Sequence, residues 1–246
     1  MKFLVALLLS WYNPQGNTNK LISYKNEGFC MSKLIQKYKH AWVLLYIFIY
    51  FPCFIYLEKH VTTDFHVIYT PLDDKIPFIE YFIVPYMLWF AYIAITVIYF
   101  FFTNAKEFYR LTAFLITGMT LFLIISAVYP NGLELRPEVF ARDNIFVDMV
   151  KQLYRTDTPT NVLPSIHVFN SIGAAIAIMR SQRLKSKKYI QYGSLILSLS
   201  IILSTMFLKQ HSVIDVIAAG IMATVCYSFI YAGAPKKQPK FSHQPI

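Results

Sequence analysis

Three residues carry the chemistry that this sequence can offer. In "LKQHSVIDVIAAG", Leu208 to Gly220, His211 and Asp215 stand four apart and share one face of a helix. A carboxylate one turn from an imidazole holds its tautomer and stabilises the cation that forms when it reacts. A neutral imidazole so held is a competent nucleophile toward phosphorus. In "LPSIHVFN", Leu163 to Asn170, a second histidine, His167, follows Pro164 and Ser165. A histidine facing His211 can protonate a departing alkoxide and later activate water or another alcohol. Arg136 and Lys209 are the cations placed to spread charge on a transferring phosphoryl group. Each residue alone reads equally well as an interface histidine, a helix pair or a solvated loop cation. His167, His211 and Asp215 also make a two-histidine, one-carboxylate set, so a metal-dependent membrane hydrolase is an alternative.

What must position these residues is a set of membrane helices. The chain of 246 residues is 56% hydrophobic and 15% charged, where a soluble domain carries about 25% charged residues. Its 21 Phe and 18 Tyr suit a water–lipid interface. Six apolar runs approach the ~20 residues that a spanning helix needs. They lie near Ala41–Leu57, Ile76–Phe102, Leu111–Tyr129, Pro164–Met179, Tyr189–Leu208 and Ser212–Tyr231. The runs are continuous rather than alternating, so helices are expected and a barrel is not. The fold class is all-α: a polytopic membrane protein with six transmembrane helices in one bundle.

Net charge is +10, but the basic residues fall between apolar runs instead of on one patch, which argues against nucleic acid. They fix orientation instead. Lysines and arginines cluster before the first run, between the second and third (Lys106, Arg110), between the fourth and fifth (Arg180 to Lys188) and after the sixth. Six spans put all four clusters on one side, which should be cytoplasmic. Most acids then lie in the opposite loops. The expectation is a multi-pass cell-membrane protein with both termini cytoplasmic and the site on the outer face. Residues 1–40 read as a cytoplasmic extension, 41–235 as the catalytic membrane domain and 236–246 as a cytoplasmic tail. Residues 1–30 read as an inessential extension or a misassigned start, since Met31 opens a plausible shorter protein.

The long loop between the third and fourth runs contains "DNIFVDMVKQLYRT", with Phe146, Met149, Val150 and Leu153 at helical spacing and Asp143 as a possible cap. A short amphipathic helix is expected there, either on the membrane surface or packed on the spans. Cys30, Cys53 and Cys226 show no metal or redox spacing and read as buried, inert thiols, with two of them inside apolar runs.

The fourth and sixth helices run in the same direction and open on the same face. Pro164 suits the first turn of the fourth. Two helix N-termini side by side, each with unpaired N–H groups, make an anion site, and the anion that fits is a phosphate.

"PSIH" followed by "STMFLKQHSVIDV" resembles the type 2 phosphatidic acid phosphatase superfamily. Its usual pattern is Lys, six residues, Arg-Pro; then Pro-Ser-Gly-His; then Ser-Arg, five residues, His, three residues, Asp. The matching positions are Arg136-Pro137, Pro164, Ser165 and His167, then Ser204, His211 and Asp215. Tyr129 stands where the lysine is usual, Ile166 where glycine is usual and Thr205 where arginine is usual. The resemblance implies a six-span enzyme that cleaves or transfers phosphate-bearing head groups of membrane lipids without a cofactor or metal. It implies His211 as nucleophile, Asp215 as its carboxylate and His167 as proton carrier. Arg136 and Ser165 would bind phosphate, with Lys209 as a substitute for the missing cations. The departures look more like the sphingomyelin synthase and inositol phosphorylceramide synthase branch. Those enzymes pass a head group to a lipid alcohol, and a diester, carrying less charge than a monoester, needs fewer cations. A non-catalytic lipid-binding or transport protein that kept the fold is the remaining alternative.

Overall fold

The computed structural model describes residues 36–232, so the expectations for residues 1–30 and for the tail 236–246 lie outside the described residues. The described residues fall in two units, 36–42 and 43–232. A 3₁₀ helix, Lys39–Tyr46, leads into α1, Ile47–His60. After a loop with a short helix α2, Pro71–Lys75, and a 3₁₀ turn, Glu80–Phe82, come α3, Ile83–Thr103, and α4, Ala105–Val128. Helix α5, Ile145–Thr156, stands in the next loop, and α6, Ile166–Arg180, α7, Lys188–Phe207, and α8, Val213–Tyr227, complete the bundle. Two-residue strands, β1 (His66–Val67) and β2 (Asn131–Gly132), pair in parallel across two loops.

Among the described residues, five helical segments are long and apolar enough to cross a membrane: Lys39–His60, Glu80–Thr103, Ala105–Val128, Lys188–Phe207 and Val213–Tyr231. This is a multi-pass membrane protein. Where a sixth full-length span was expected, α6 is an apolar helix of 15 residues, about 22 Å long at 1.5 Å per residue. It is shorter at its start than the apolar run because Ser165, not Pro164, caps it: the Ser165 hydroxyl accepts from Val168 N, and Pro164 lies outside the helix. The second span also begins later than the run. Residues 76–79 stay extended because Ile79 N donates to the Phe207 carbonyl, and Lys209 Nζ holds the Ile76 carbonyl. Helix α4 begins earlier, at Ala105, because Asn104 caps it by accepting from Lys106 N and Glu107 N. The cap makes charged residues helical beyond the apolar run.

Close packing between α4 and α6 sets the position of His167. Phe114 and Phe169 stack with ring centroids 4.6 Å apart. Each ring lies over a glycine of the facing helix, Phe169 over Gly118 and Phe114 over Gly173. A Cβ on Gly118 would stand 2.0 Å from Phe169, so the pair admits only glycine there. Helix α5 is capped by Asn144 rather than Asp143. Its Val150 packs with Ile83, Tyr86 and Leu208 in a small core at the end of the bundle. Cys226 is buried, whereas Cys53 is exposed on α1.

Candidate active site

The end of α7 shapes the site. Lys209 adopts the left-handed conformation, with φ of 52°. Its N–H donates to the Met206 carbonyl, and Gln210 N donates to the Thr205 carbonyl, so the helix closes in a Schellman motif with Lys209 in the place glycine prefers. His211 N donates to Thr205 O as well. The reversal carries Gln210 and His211 away from the helix axis and starts α8 two residues later. There, Asp215 accepts from Ser212 N at 2.9 Å and from His211 Nδ1 at 3.3 Å. The carboxylate that caps the helix therefore also holds the imidazole. Asp73, buried in the middle of the α2 turn, accepts from Ser212 Oγ at 2.7 Å and Val213 N at 2.9 Å, which fixes this N-terminus.

His167 sits one residue into α6, and Ser165 N donates to the Asp215 carbonyl at 3.4 Å, tying the two helix starts together. Its ring lies between Tyr86 and Trp89 of α3, at centroid distances of 4.6 and 4.3 Å. Its Nε2 is buried without a hydrogen-bond partner. The rings of His167 and His211 are 5.9 Å apart.

Both histidines line a cavity of about 650 Å³. One part is apolar, walled by Tyr50 and Phe54 of α1, Trp89 and Ile93 of α3, and Met119 and Phe122 of α4. The other holds Glu58, Asp157, Asn161, Gln210 and the two histidines. Glu58 accepts from the Thr158 hydroxyl and from Asn161 Nδ2. Asn131 anchors the loop before α6: its Oδ1 accepts from Val162 N and Leu163 N. Burial pushes the Asp157 carboxyl above its ordinary value, against the pull of Arg136 and His211.

The remaining expected residues stand apart from the cavity lining. Ser165 is buried, and its hydroxyl is used in capping α6. Arg136 packs over the Tyr154 ring and donates to the carbonyls of Tyr154, Asp157 and Thr158 and to Gln210 Oε1. Burial lowers its pKa, opposed mainly by Asp157. Lys209 Nζ donates to the carbonyls of Asp73 and Ile76, at 2.7 and 2.6 Å, and so holds the α2 loop instead of facing His211. Sequence reading passed over Glu58, Asp157, Asn161, Gln210 and the capping Asp73. Only their polarity at the ends of apolar runs signalled them. Among the described residues, no group of three or more His, Cys, Asp or Glu side chains is arranged to hold a metal ion.

Residues 132–239 match the family model of the PAP2 superfamily. The matched segment begins at β2 and contains Arg136, His167, His211 and Asp215. Comparison with curated proteins and with solved structures finds no match.

Proposed function

We propose that this protein is an integral membrane phosphoryl-transfer enzyme acting on phosphate-bearing lipids, as a lipid phosphatase or a head-group phosphotransferase. The observation that carries this reading is one cavity lined by both histidines and continuing into an apolar slot. His211 is held by Asp215 through Nδ1, so Nε2 is the nitrogen left for phosphorus. Its lone pair forms the N–P bond as the P–O bond to the leaving group breaks. His167, which gains a proton when the negative charge of the phosphate enters the cavity, gives that proton to the departing alkoxide and becomes neutral. It then takes a proton from water or an alcohol, whose oxygen attacks phosphorus while the N–P electron pair returns to His211. The slot receives the lipid tail.

The protein crosses the membrane six times in this reading, with α6 as a short span. The C-terminal ends of α1, α4 and α7 meet the N-terminal ends of α3, α6 and α8 around the site, as alternating crossings require. With the basic loops cytoplasmic, the site opens on the outer face.

The test is incubation of the purified protein with phosphatidate, lipid pyrophosphates or phosphatidylinositol, each with and without ceramide, and product detection by mass. Products that depend on His211 are expected, and ceramide separates transfer from hydrolysis. No turnover of any lipid, or unchanged turnover after His211→Ala, overturns the reading. Arg136 and Lys209 stand outside the cavity lining, bonded to Gln210 and to backbone carbonyls, which favours a second reading, a non-catalytic lipid-binding protein. It predicts binding of these lipids with no product.

A further inference from the structure

The phosphoryl-transfer reading leaves the phosphate without an evident partner, because neither Lys209 nor Arg136 lines the cavity: Lys209 Nζ holds two carbonyls, and the Arg136 Nη atoms hold carbonyls and Gln210 while its Nε stays buried without a partner. Gln210 itself is 3% exposed and lines the cavity beside His211. Its Oε1 accepts from Arg136 Nη2 at 2.7 Å. That bond settles which way the amide points, since the reverse placement would set two donors against each other. Nε2 is therefore directed away from Arg136, and it is buried with no hydrogen-bond partner. A buried N–H pair left unmet in a residue that lines a cavity is costly unless something enters to accept from it. The backbone gives the side chain little freedom, because Gln210 N is the closing donor of the α7 cap.

We propose that Gln210 is the phosphate-binding donor of this site, its Nε2 hydrogens holding a non-bridging phosphate oxygen as His211 attacks. This rests on the phosphoryl-transfer reading and names the substrate class within it. Arg136 stands behind the amide and polarises it, so its charge reaches the phosphate at one remove. Glu58 and Asp157 line the same cavity. A neutral donor backed by a single guanidinium, with carboxylates nearby, suits a singly charged phosphodiester and disfavours a monoester dianion.

The test uses the full chain in detergent, with short-chain phosphatidylinositol as the diester, short-chain phosphatidate as the monoester and orthovanadate as the phosphate mimic. Gln210→Glu keeps an acceptor for Arg136 and removes the donor. It should lower kcat/KM for the diester by about 100-fold or more, as loss of one oxyanion donor does. Vanadate inhibition should weaken in parallel while the melting temperature holds. Gln210→Met should lose the same turnover with a lowered melting temperature, because Arg136 also loses its partner. Either variant, folded and within about threefold of wild type in turnover and vanadate inhibition, overturns the proposal. Wild-type preference for phosphatidate over phosphatidylinositol overturns its charge component. Activity retained after Gln210→Glu but lost after His211→Ala sinks only this inference; activity absent from the wild type sinks the underlying reading.

Discussion

His211 and His167 lie two residues before and one residue inside neighbouring helix starts, yet their surroundings have little in common. His211 is held by a carboxylate that also caps α8, and that cap is held in turn by Asp73. His167 packs against the rings of Tyr86 and Trp89 and has no hydrogen bond to Nε2. A fixed tautomer suits a group that must present one lone pair along one line. A ring held by stacking alone keeps its orientation while its nitrogen remains free to gain and lose a proton. In the proposed mechanism the difference suits His211 to attack and His167 to proton transfer.

Removing the nucleophile is the harshest test of that division. His211→Ala should cost on the order of 10³-fold or more in kcat and leave no acid-labile phosphorus on the protein after a quenched reaction. Label trapped on the variant would place the covalent step elsewhere. Asp215→Asn should cost about 10²–10⁴-fold, because the amide can cap the helix but favours the wrong imidazole tautomer. If it costs no more than a few-fold, the anchoring that separates the two histidines is irrelevant to catalysis. His167→Gln should slow turnover by about 10²–10⁴-fold, and most for poor leaving groups. Equal sensitivity of the His211 and His167 variants to leaving-group quality would erase the distinction between them.

Smaller effects sharpen the picture of what holds each histidine. Lys209→Ala should lower stability by about 1–3 kcal/mol through the two carbonyl bonds it removes. KM should change little, and a large KM effect without loss of stability would return Lys209 to the phosphate. Asp157 lies between the two surroundings, bonded to the Tyr86 hydroxyl at 3.4 Å while Tyr86 stacks on His167. Its raised carboxyl pKa makes a contribution to stability that is full below the unfolded value near about 4 and is lost as pH rises through the raised value. Thermal melts at stepped pH should therefore fall less steeply for Asp157→Asn than for wild type. Parallel curves would show that Asp157 ionises unhindered.

Which residues could react was legible in the chain, because reactive side chains at helical spacing stand out against apolar runs. His211 and Asp215 share a face by the period of the helix alone, and His167 stands near the start of an apolar segment. Hydropathy likewise located five long apolar helices, since the cost of burying polar backbone in lipid leaves helices as the answer to a continuous apolar run. Direction and partnership of the long polar side chains were not legible. Lys209 carries the same charge whether it meets a phosphate or a carbonyl. Only the left-handed turn ending α7 decides that it faces the α2 loop and that Gln210 faces the cavity. The packing of Phe169 on Gly118, the cap by Asp73 and the gathering of Glu58 with Asp157 join residues from about 50 to more than 130 positions apart. Such contacts depend on how the helices stack, and no local period encodes them.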